Sequence, residues 1–522
     1  RLVRSANGAD LRRVAIYGSG DAGVQVSAAL SGGSMFKPVA FIDDNPAIEG
    51  NYIEGLRVYP FSHLAQLIKK HQVNEVIIAL PSVERSRRSE IIKKLEPYSV
   101  HVSILPDLDD LASGRVKVED IREVGVRDLL AREPVEPDVN LLESNVRDKI
   151  VLVTGAGGSI GSELCRQIIR IGPSKLILYE RGEHDLYVVE KELLQLLARK
   201  GLTSEISQNM VIPVLASILD QERLESVCKA FKVDTIYHAA AYKHVPMVER
   251  NPLEAVRNNV IGSYKSAMAA INSSVETFVL VSTDKAVRPT NTMGATKRFA
   301  EMILQGLAAR GLNQTRFTMV RFGNVLDSSG SVVPLFREQI KRGGPVTVTD
   351  PKITRFFMTI PEAAQLVIQA GAMGRGGDVF VLDMGNPVKI LELARRMIHL
   401  SGLAVKDSDN PMGDIEIEFT GLRPGEKLYE ELLIGDNVEP TAHPLIMTAN
   451  EDCLSWQELT GFLAQFVETI KSNDVDQGRS LLVQSVKGFE PQCDVVDLVQ
   501  EKSRMSDSQS QSNIIKYPGI LE

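Results

Sequence analysis

The side chains of this sequence with the most chemistry stand close together. Ser282-Thr283-Asp284-Lys285 ends an apolar run that begins at Thr277, and Met293-Gly294-Ala295-Thr296-Lys297 opens a helical pattern soon after. Met293 and Lys297, four apart, share one helical face. A free Asp is mostly ionised and a free Lys mostly protonated at neutral pH. Asp284 and Lys285 can therefore act as general acid and base only where burial and mutual placement reverse both states. Outside such a setting they are a surface salt bridge. Thr283 and Lys297 are candidates for taking a hydroxyl proton, whereas the Met293 thioether has none to give or take.

These residues need a frame. Lys149–Thr154 is an apolar strand that enters Gly155-Ala156-Gly157-Gly158-Ser159-Ile160-Gly161, and Leu176–Glu180 follows after one helix. A glycine-rich turn between strand and helix lets backbone amides and the positive helix end approach a pyrophosphate, where a side chain would block contact. Gly155, Gly158, Ser159, Ile160 and Gly161 are thus expected against a dinucleotide. Glu180 would accept hydrogen bonds from the adenosine ribose, and its charge repels a 2′-phosphate. This favours NAD over NADP, although the adjacent Arg181 keeps NADP open. Ala239 and Ala240, after the strand Thr235–His238, would let the cofactor lie close, with Lys243 and His244 bordering the nicotinamide or the sugar.

The same pattern occurs earlier. Val14–Tyr17 meets Gly18-Ser19-Gly20-Asp21-Ala22-Gly23, and Phe41-Ile42-Asp43-Asp44 ends a second strand in acid. Gly18, Gly20, Gly23 and Asp43 form a possible second nucleotide site, and a purely architectural role fits equally well. No catalytic residue accompanies them.

Strand-like runs at Val211–Leu215, Thr235–His238, Thr277–Ser282 and Thr318–Phe322 alternate with helical segments. The expected class is α/β, with two Rossmann-like doubly wound parallel sheets. Five regions follow: an N-terminal Rossmann-like domain over 1–130, a Pro- and acid-rich linker over 131–147, a catalytic core over 148–345, a mainly substrate-binding region over 346–470, and a tail over 471–522. Ser503–Ser512 in that tail is polar and expected to be flexible.

At 522 residues the chain exceeds what one core usually organises. A net charge of −8 argues against a nucleic-acid binder. Cys165, Cys228, Cys453 and Cys493 are scattered without metal-ligand spacing, so no metal or disulfide framework is expected. No apolar run is long enough to span a bilayer, and the start at Arg1 suggests a soluble piece of a longer protein.

The glycine turn, Ala239-Ala240-Ala241-Tyr242-Lys243-His244-Val245-Pro246, Thr283-Asp284-Lys285 and Arg321-Phe322-Gly323-Asn324-Val325 together resemble the UDP-N-acetylglucosamine 4,6-dehydratases, extended short-chain dehydrogenases of bacterial polysaccharide and glycan synthesis. The similarity runs from about residue 12 to beyond 440. It is strongest to the large branch, in which transmembrane helices and an N-terminal Rossmann-like domain precede the catalytic one. That branch shares Met293 where other short-chain dehydrogenases carry tyrosine.

The resemblance implies a homo-oligomer, such cores often pairing through two helices each, held at the cytoplasmic side of the inner membrane. It gives Asp284 the role of acid at the C6 hydroxyl and Lys285 that of base at C5. It also places Asp220 at the adenine edge and has Asn259 steady the strand carrying Thr283. The UDP diphosphate falls to Arg355 and Arg423, with Asn324 and Arg337 completing a clamp. The implied product is the 4-keto-6-deoxy sugar; whether C5 is inverted or retained depends on which face is reprotonated and stays open, with retention favoured. A nucleotide-sugar 4-epimerase, which needs no acid and base at C6 and C5, and a non-catalytic NAD-dependent sensor are the competing readings.

Overall fold

Uninterrupted apolar runs, rather than alternating ones, mark strands buried on both faces, and most long strands of this chain are of that kind. A computed structural model describes residues 11–32, 35–105, 121–124, 128, 135–311, 314–328, 330–431, 438–492, 494 and 497. Ser503–Ser512, Cys493 and Arg132–Pro134 of the expected linker lie outside the described residues.

Two compact units are present. The first comprises residues 1–135, 330–353 and 388–421; the second comprises 136–329, 354–387 and 422–522. Stretches from the regions read as core and substrate domain thus cluster with the N-terminal unit.

In the first unit, β1 (Arg12–Tyr17), β2 (Phe36–Ile42), β3 (Tyr52–Ile53), β4 (Leu56–Tyr59), β5 (Glu75–Ile78), β6 (His101–Ile104) and β7 (Arg122–Glu123) form one sheet in the order β3-β4-β2-β1-β5-β6-β7. It is parallel from β4 to β6, with antiparallel β3 and β7 at its edges. Val14, Ile16, Val26, Leu30, Phe41 and Ile77 make its core. The later segments add a small sheet of Val346–Val348, Val405–Lys406 and Ile415–Phe419.

In the second unit, β8 (Ile150–Thr154), β9 (Lys175–Glu180), β10 (Val211–Leu215), β11 (Thr235–His238), β12 (Thr277–Val281) and β13 (Arg316–Arg321) pair in parallel in the order β10-β9-β8-β11-β12-β13. Asp378–Leu382 extends the sheet in parallel, and Ile446–Ala449 and Val438–Pro440 close it antiparallel. The chain leaves β8 toward β9 and β10, then returns to β11 on the other side. This creates a switch point at which the carboxyl ends of β8 and β11 part, the place where such sheets bind ligands.

The Thr292–Ala309 helix, which carries Met293 and Lys297, is buried along nearly its whole length. Its outer side is covered by the chain's own helices Trp456–Ser472 and Val475–Ser485. Phe299 meets Phe462 and Phe466 edge to face at 6.4 and 5.2 Å, a geometry worth about 0.5–1.5 kcal/mol per pair beyond burial. A β-carbon on Gly306 would come within 2.7 Å of Leu459. With Gly262–Asn272, which also packs on the Thr292–Ala309 helix, these elements form a four-helix arrangement within one chain. No described helix is long and apolar enough to cross a membrane.

Candidate active site

The glycine turn is shaped by backbone against backbone. Gly155 has φ +67°, and a β-carbon there would lie 2.8 Å from Ala240. One on Gly161 would lie 1.9 Å from the Gly155 carbonyl. These glycines let the strand, the turn and the loop after β11 close on each other. Gly158 caps the Ser159–Ile171 helix with no side-chain hydrogen bond. A β-carbon on it would meet only the Gly155 carbonyl, at 3.3 Å, so the amide end of the helix is open to an anion.

Glu180 ends β9, and its carboxylate accepts three backbone amides, from Gly157 (3.1 Å), Arg181 (2.8 Å) and Gly182 (3.0 Å). Arg181 is directed elsewhere: its guanidinium lies 4.7 Å from the centre of the Tyr242 ring and donates to the Tyr242 hydroxyl. Asp220 caps the Gln221–Phe231 helix by accepting the Arg223 amide at 3.0 Å. Ala239 continues the pairing of β11 by donating to Thr154 O at 3.1 Å. Lys243 and His244 are exposed. Asn259 directs its side-chain hydrogen bonds to elements other than the strand carrying Thr283. It brackets Tyr242, accepting its amide at 2.8 Å and donating to its carbonyl at 3.0 Å, and donates to Thr296 at 3.1 Å.

The reactive cluster lies past the end of β12. Ser282 and Asp284 stay paired with β13 and the residue that follows it, through Val320 O (2.7 Å) and Phe322 O (3.0 Å). Thr283 Oγ1 donates to Asp284 Oδ1 at 2.9 Å and accepts the Lys285 amide at 3.4 Å, capping the short turn Asp284–Ala286. Lys285 Nζ donates to Asp284 Oδ1 (3.0 Å) and Asn324 Oδ1 (3.2 Å) and lies 3.5 Å from Glu430 Oε1. Asp284 is 2% exposed, and its Oδ2 is buried without a hydrogen-bond partner among the described residues. Gly323 leaves room beside that oxygen, since a β-carbon would come within 3.0 Å of it.

Burial disfavours the Lys285 ammonium, but Asp284 and Glu430 outweigh it and hold the amine above the ordinary lysine value. This is the opposite of the reversal expected from sequence. The difference comes first from Asp284 itself and then from Glu430, a second carboxylate brought in by a distant loop. Lys297 behaves otherwise: burial pushes it down to about 8, with Glu301 opposing, and its Nζ donates to Val281 O at 2.6 Å. Met293 is buried in an apolar cluster with Val248, Ala255, Tyr242 and Val245.

Behind the cluster lies a charged network with no signal in spacing. Glu301 accepts Ser282 Oγ (2.6 Å), Arg321 Nε (2.8 Å) and Arg298 (3.1 Å), and Arg321 continues to Glu451. Burial pushes the Glu301 carboxyl up, yet Arg321 and Arg298 together with Ser282 bring it down to about 2. It fixes the residue next to Thr283. His238 bridges Thr154 (2.8 Å) and Ser263 (3.1 Å), kept neutral by burial and Lys297, which push it down to about 3.

Among the residues expected to hold the diphosphate, Arg355 is 8% exposed and bonds the carbonyls of Thr354 (2.8 Å) and Leu428 (3.4 Å) and the carboxylate of Glu426 (3.0 Å). Arg423 is exposed, Asn324 holds Lys285, and Arg337 belongs to the Val332–Lys341 helix of the first unit. In that unit, Asp43 is bound to its own turn, accepting the Ser19 amide (2.9 Å) and hydroxyl (2.7 Å) and the Asn45 amide (3.0 Å).

Residues 151–451 match the family described as polysaccharide biosynthesis protein. The capsular polysaccharide biosynthesis protein CapD of Staphylococcus aureus is 44% identical over 440 residues, covering 83% of this chain and 70% of that protein. A UDP-glucose 4-epimerase of Rickettsia canadensis is 35% identical over 294 residues, 56% of this chain and 79% of the epimerase. Among solved structures, Pen from Bacillus thuringiensis aligns with a TM-score of 0.52 at 31% identity, covering 61% of this chain and 98% of that one. The parallel sheet, the glycine turn at its switch point and these similarities together make the chain a member of the polysaccharide biosynthesis protein family, built on an extended short-chain dehydrogenase fold.

Proposed function

We propose that this protein dehydrates UDP-N-acetylglucosamine to the UDP-linked 4-keto-6-deoxy sugar with C5 configuration retained, using NAD. The observation that carries this reading is the buried Asp284–Lys285 pair, whose Asp284 Oδ2 lacks a partner at the carboxyl edge of the sheet. A buried acceptor left unpaired costs about 1–3 kcal/mol, and a sugar hydroxyl would satisfy it.

The groove suits a dinucleotide: an uncapped helix end faces the glycine turn, and the Glu180 carboxylate is held in place by three amides. A 2′-phosphate would face the Glu180 charge, and Arg181 is occupied by Tyr242. A nicotinamide cofactor held by the Gly155–Gly161 turn and Glu180 would supply the hydride chemistry at C4 and C6 of the sugar.

The chain's own residues move the protons. Lys297, near neutrality through burial, takes the C4 hydroxyl proton, with the Thr283 hydroxyl as relay. A single proton shift from Lys285 Nζ to Asp284 Oδ1, 3.0 Å apart, converts the resting ion pair into a neutral acid and a neutral base. Covering the site with substrate favours that shift, because desolvation penalises two charges more than two neutral groups. Lys285 then removes the C5 proton while Asp284 protonates the departing C6 hydroxyl. This step restores the resting charges; Lys285 then returns its proton to C5, and the proton that Lys297 took from the C4 hydroxyl passes through Thr283 to the Asp284–Lys285 pair, replacing the one that left with the water.

A 4-epimerase would share the C4 step and leave Asp284 and Lys285 without work; the epimerase relative makes it the second reading. Incubation with UDP-N-acetylglucosamine and NMR of the sugar tests the proposal. A 4-keto-6-deoxy product supports it. The C4 epimer would establish the rival, and an unchanged sugar would leave a non-catalytic NAD sensor.

A further inference from the structure

Lys285 is surrounded by more charge than its neighbour in sequence supplies. Asp284 comes from its own turn. Glu430 comes from the segment 422–431, and Arg355 reaches in from Thr354–Arg355, its Nε 3.9 Å from Glu430 Oε1. Asn324 completes the shell as a neutral acceptor. The Glu430 side chain is 4% exposed. A carboxylate is placed there at a large desolvation cost unless it is paired. Its partners within 4 Å are the Lys285 ammonium at 3.5 Å and the Arg355 guanidinium, itself fixed by Glu426 and by two carbonyls.

From this geometry we infer that Glu430 is a positioning residue for Lys285: it draws the amine between Asp284 and Asn324 and keeps it protonated until the site is filled. It rests on the dehydratase reading only for the consequence in turnover. Asp284 holds the ammonium from one side only. With Glu430 in place the ammonium faces two carboxylates, and the site waits in its ionic state. Asp284 first and Glu430 second hold Lys285 above the ordinary lysine value despite burial, which alone would lower it. Arg355 acts in the opposite sense on the same amine.

The test reads the amine directly. The full chain is labelled with a trace of acetic anhydride across a pH series, and modification of Lys285 is followed by mass spectrometry. An opposite charge within about 4–6 Å shifts a titration by about 1–3 units, so Glu430→Gln should lower the pH of half-labelling by at least about one unit. Glu430→Asp, with a charge on a shorter arm, should lower it by less. Should Glu430→Gln fail to fold, Glu430→Asp must still fall below wild type. An unchanged midpoint in a folded variant overturns the inference.

Turnover of UDP-N-acetylglucosamine forms the second arm, where the falling limb set by loss of the Lys285 proton should move to lower pH in Glu430→Gln by the same interval. A labelling shift in a protein that forms no dehydrated sugar would leave Glu430 as the positioning residue and defeat the dehydratase reading alone.

Discussion

The chain builds the strand, glycine turn and helix motif twice, and the two copies share their closest backbone approach. A β-carbon on Gly23 would lie 2.0 Å from the Gly18 carbonyl, and one on Gly161 would lie 1.9 Å from the Gly155 carbonyl. Gly18 and Gly155 both adopt positive φ, and each following strand leads to an acid bonded back to its own turn. The difference lies at the neighbouring strand ends. In the first unit β5 and β6 run on into Ala79 and Leu105, both buried and apolar. In the second, β11, β12 and β13 run on into Ala239-Ala240, Thr283-Asp284-Lys285 and Gly323-Asn324. A glycine turn therefore marks where a phosphate can approach; the carboxyl ends of the adjacent strands decide whether chemistry follows.

The largest effects should come from those strand ends. Asp284→Asn and Lys285→Ala should each lower the rate of dehydration by about 10²–10⁴-fold while UDP-sugar binding, measured by calorimetry, stays near wild type. Wild-type rates in both would remove the chemical distinction between the units. Next come the turns themselves. Gly161→Ala and Gly23→Ala meet equal clashes and should each cost about 1–3 kcal/mol in thermal unfolding. Only Gly161→Ala should strip nucleotide from the purified protein, as read from the supernatant after denaturation; loss of nucleotide in Gly23→Ala would give the first unit a ligand as well.

A smaller effect is graded with pH. Lys297 titrates near 8 because burial disfavours its ammonium, and the neutral amine is the reactive form. Below pH 8 the C4 step should slow by about tenfold per unit, and above it level off. A pre-steady-state rate flat through this range would exclude Lys297 as the proton acceptor. The smallest effect concerns Met293, a packing residue against Tyr242, Val245 and Val248. Met293→Leu conserves volume and should cost under about 1.5 kcal/mol in stability with turnover within a few-fold of wild type. A loss as deep as that of Lys297→Ala would show that the thioether has a chemical role.

Much of this was legible in the sequence, for identifiable reasons. Parallel strands buried on both faces leave continuous apolar runs, and a tight turn at a helix start leaves glycines, so both sheets and both turns could be read directly. Thr283, Asp284 and Lys285 were visible because they are contiguous. Glu430 was not: it reaches Lys285 from a loop far along the chain, and only the fold brings the two within 3.5 Å. Lys285 was expected to be depressed and is instead raised, first by Asp284 and then by Glu430. Glu301 and Arg321, whose carboxylate and guanidinium face each other at 2.5 Å, look in sequence like two unrelated surface charges. The covering of the Thr292–Ala309 helix by Trp456–Ser472 and Val475–Ser485 likewise depends on tertiary packing alone.

The central claim is that Asp284 and Lys285 carry out an elimination that follows oxidation at C4, and Asp284→Asn separates the two steps. Mixed with UDP-N-acetylglucosamine in deuterated water and followed by the ultraviolet absorbance of reduced nicotinamide together with NMR of the sugar, this variant should accumulate reduced cofactor and form little 4-keto-6-deoxy product. Formation of that product at the wild-type rate, with no accumulation of reduced cofactor, would contradict the account.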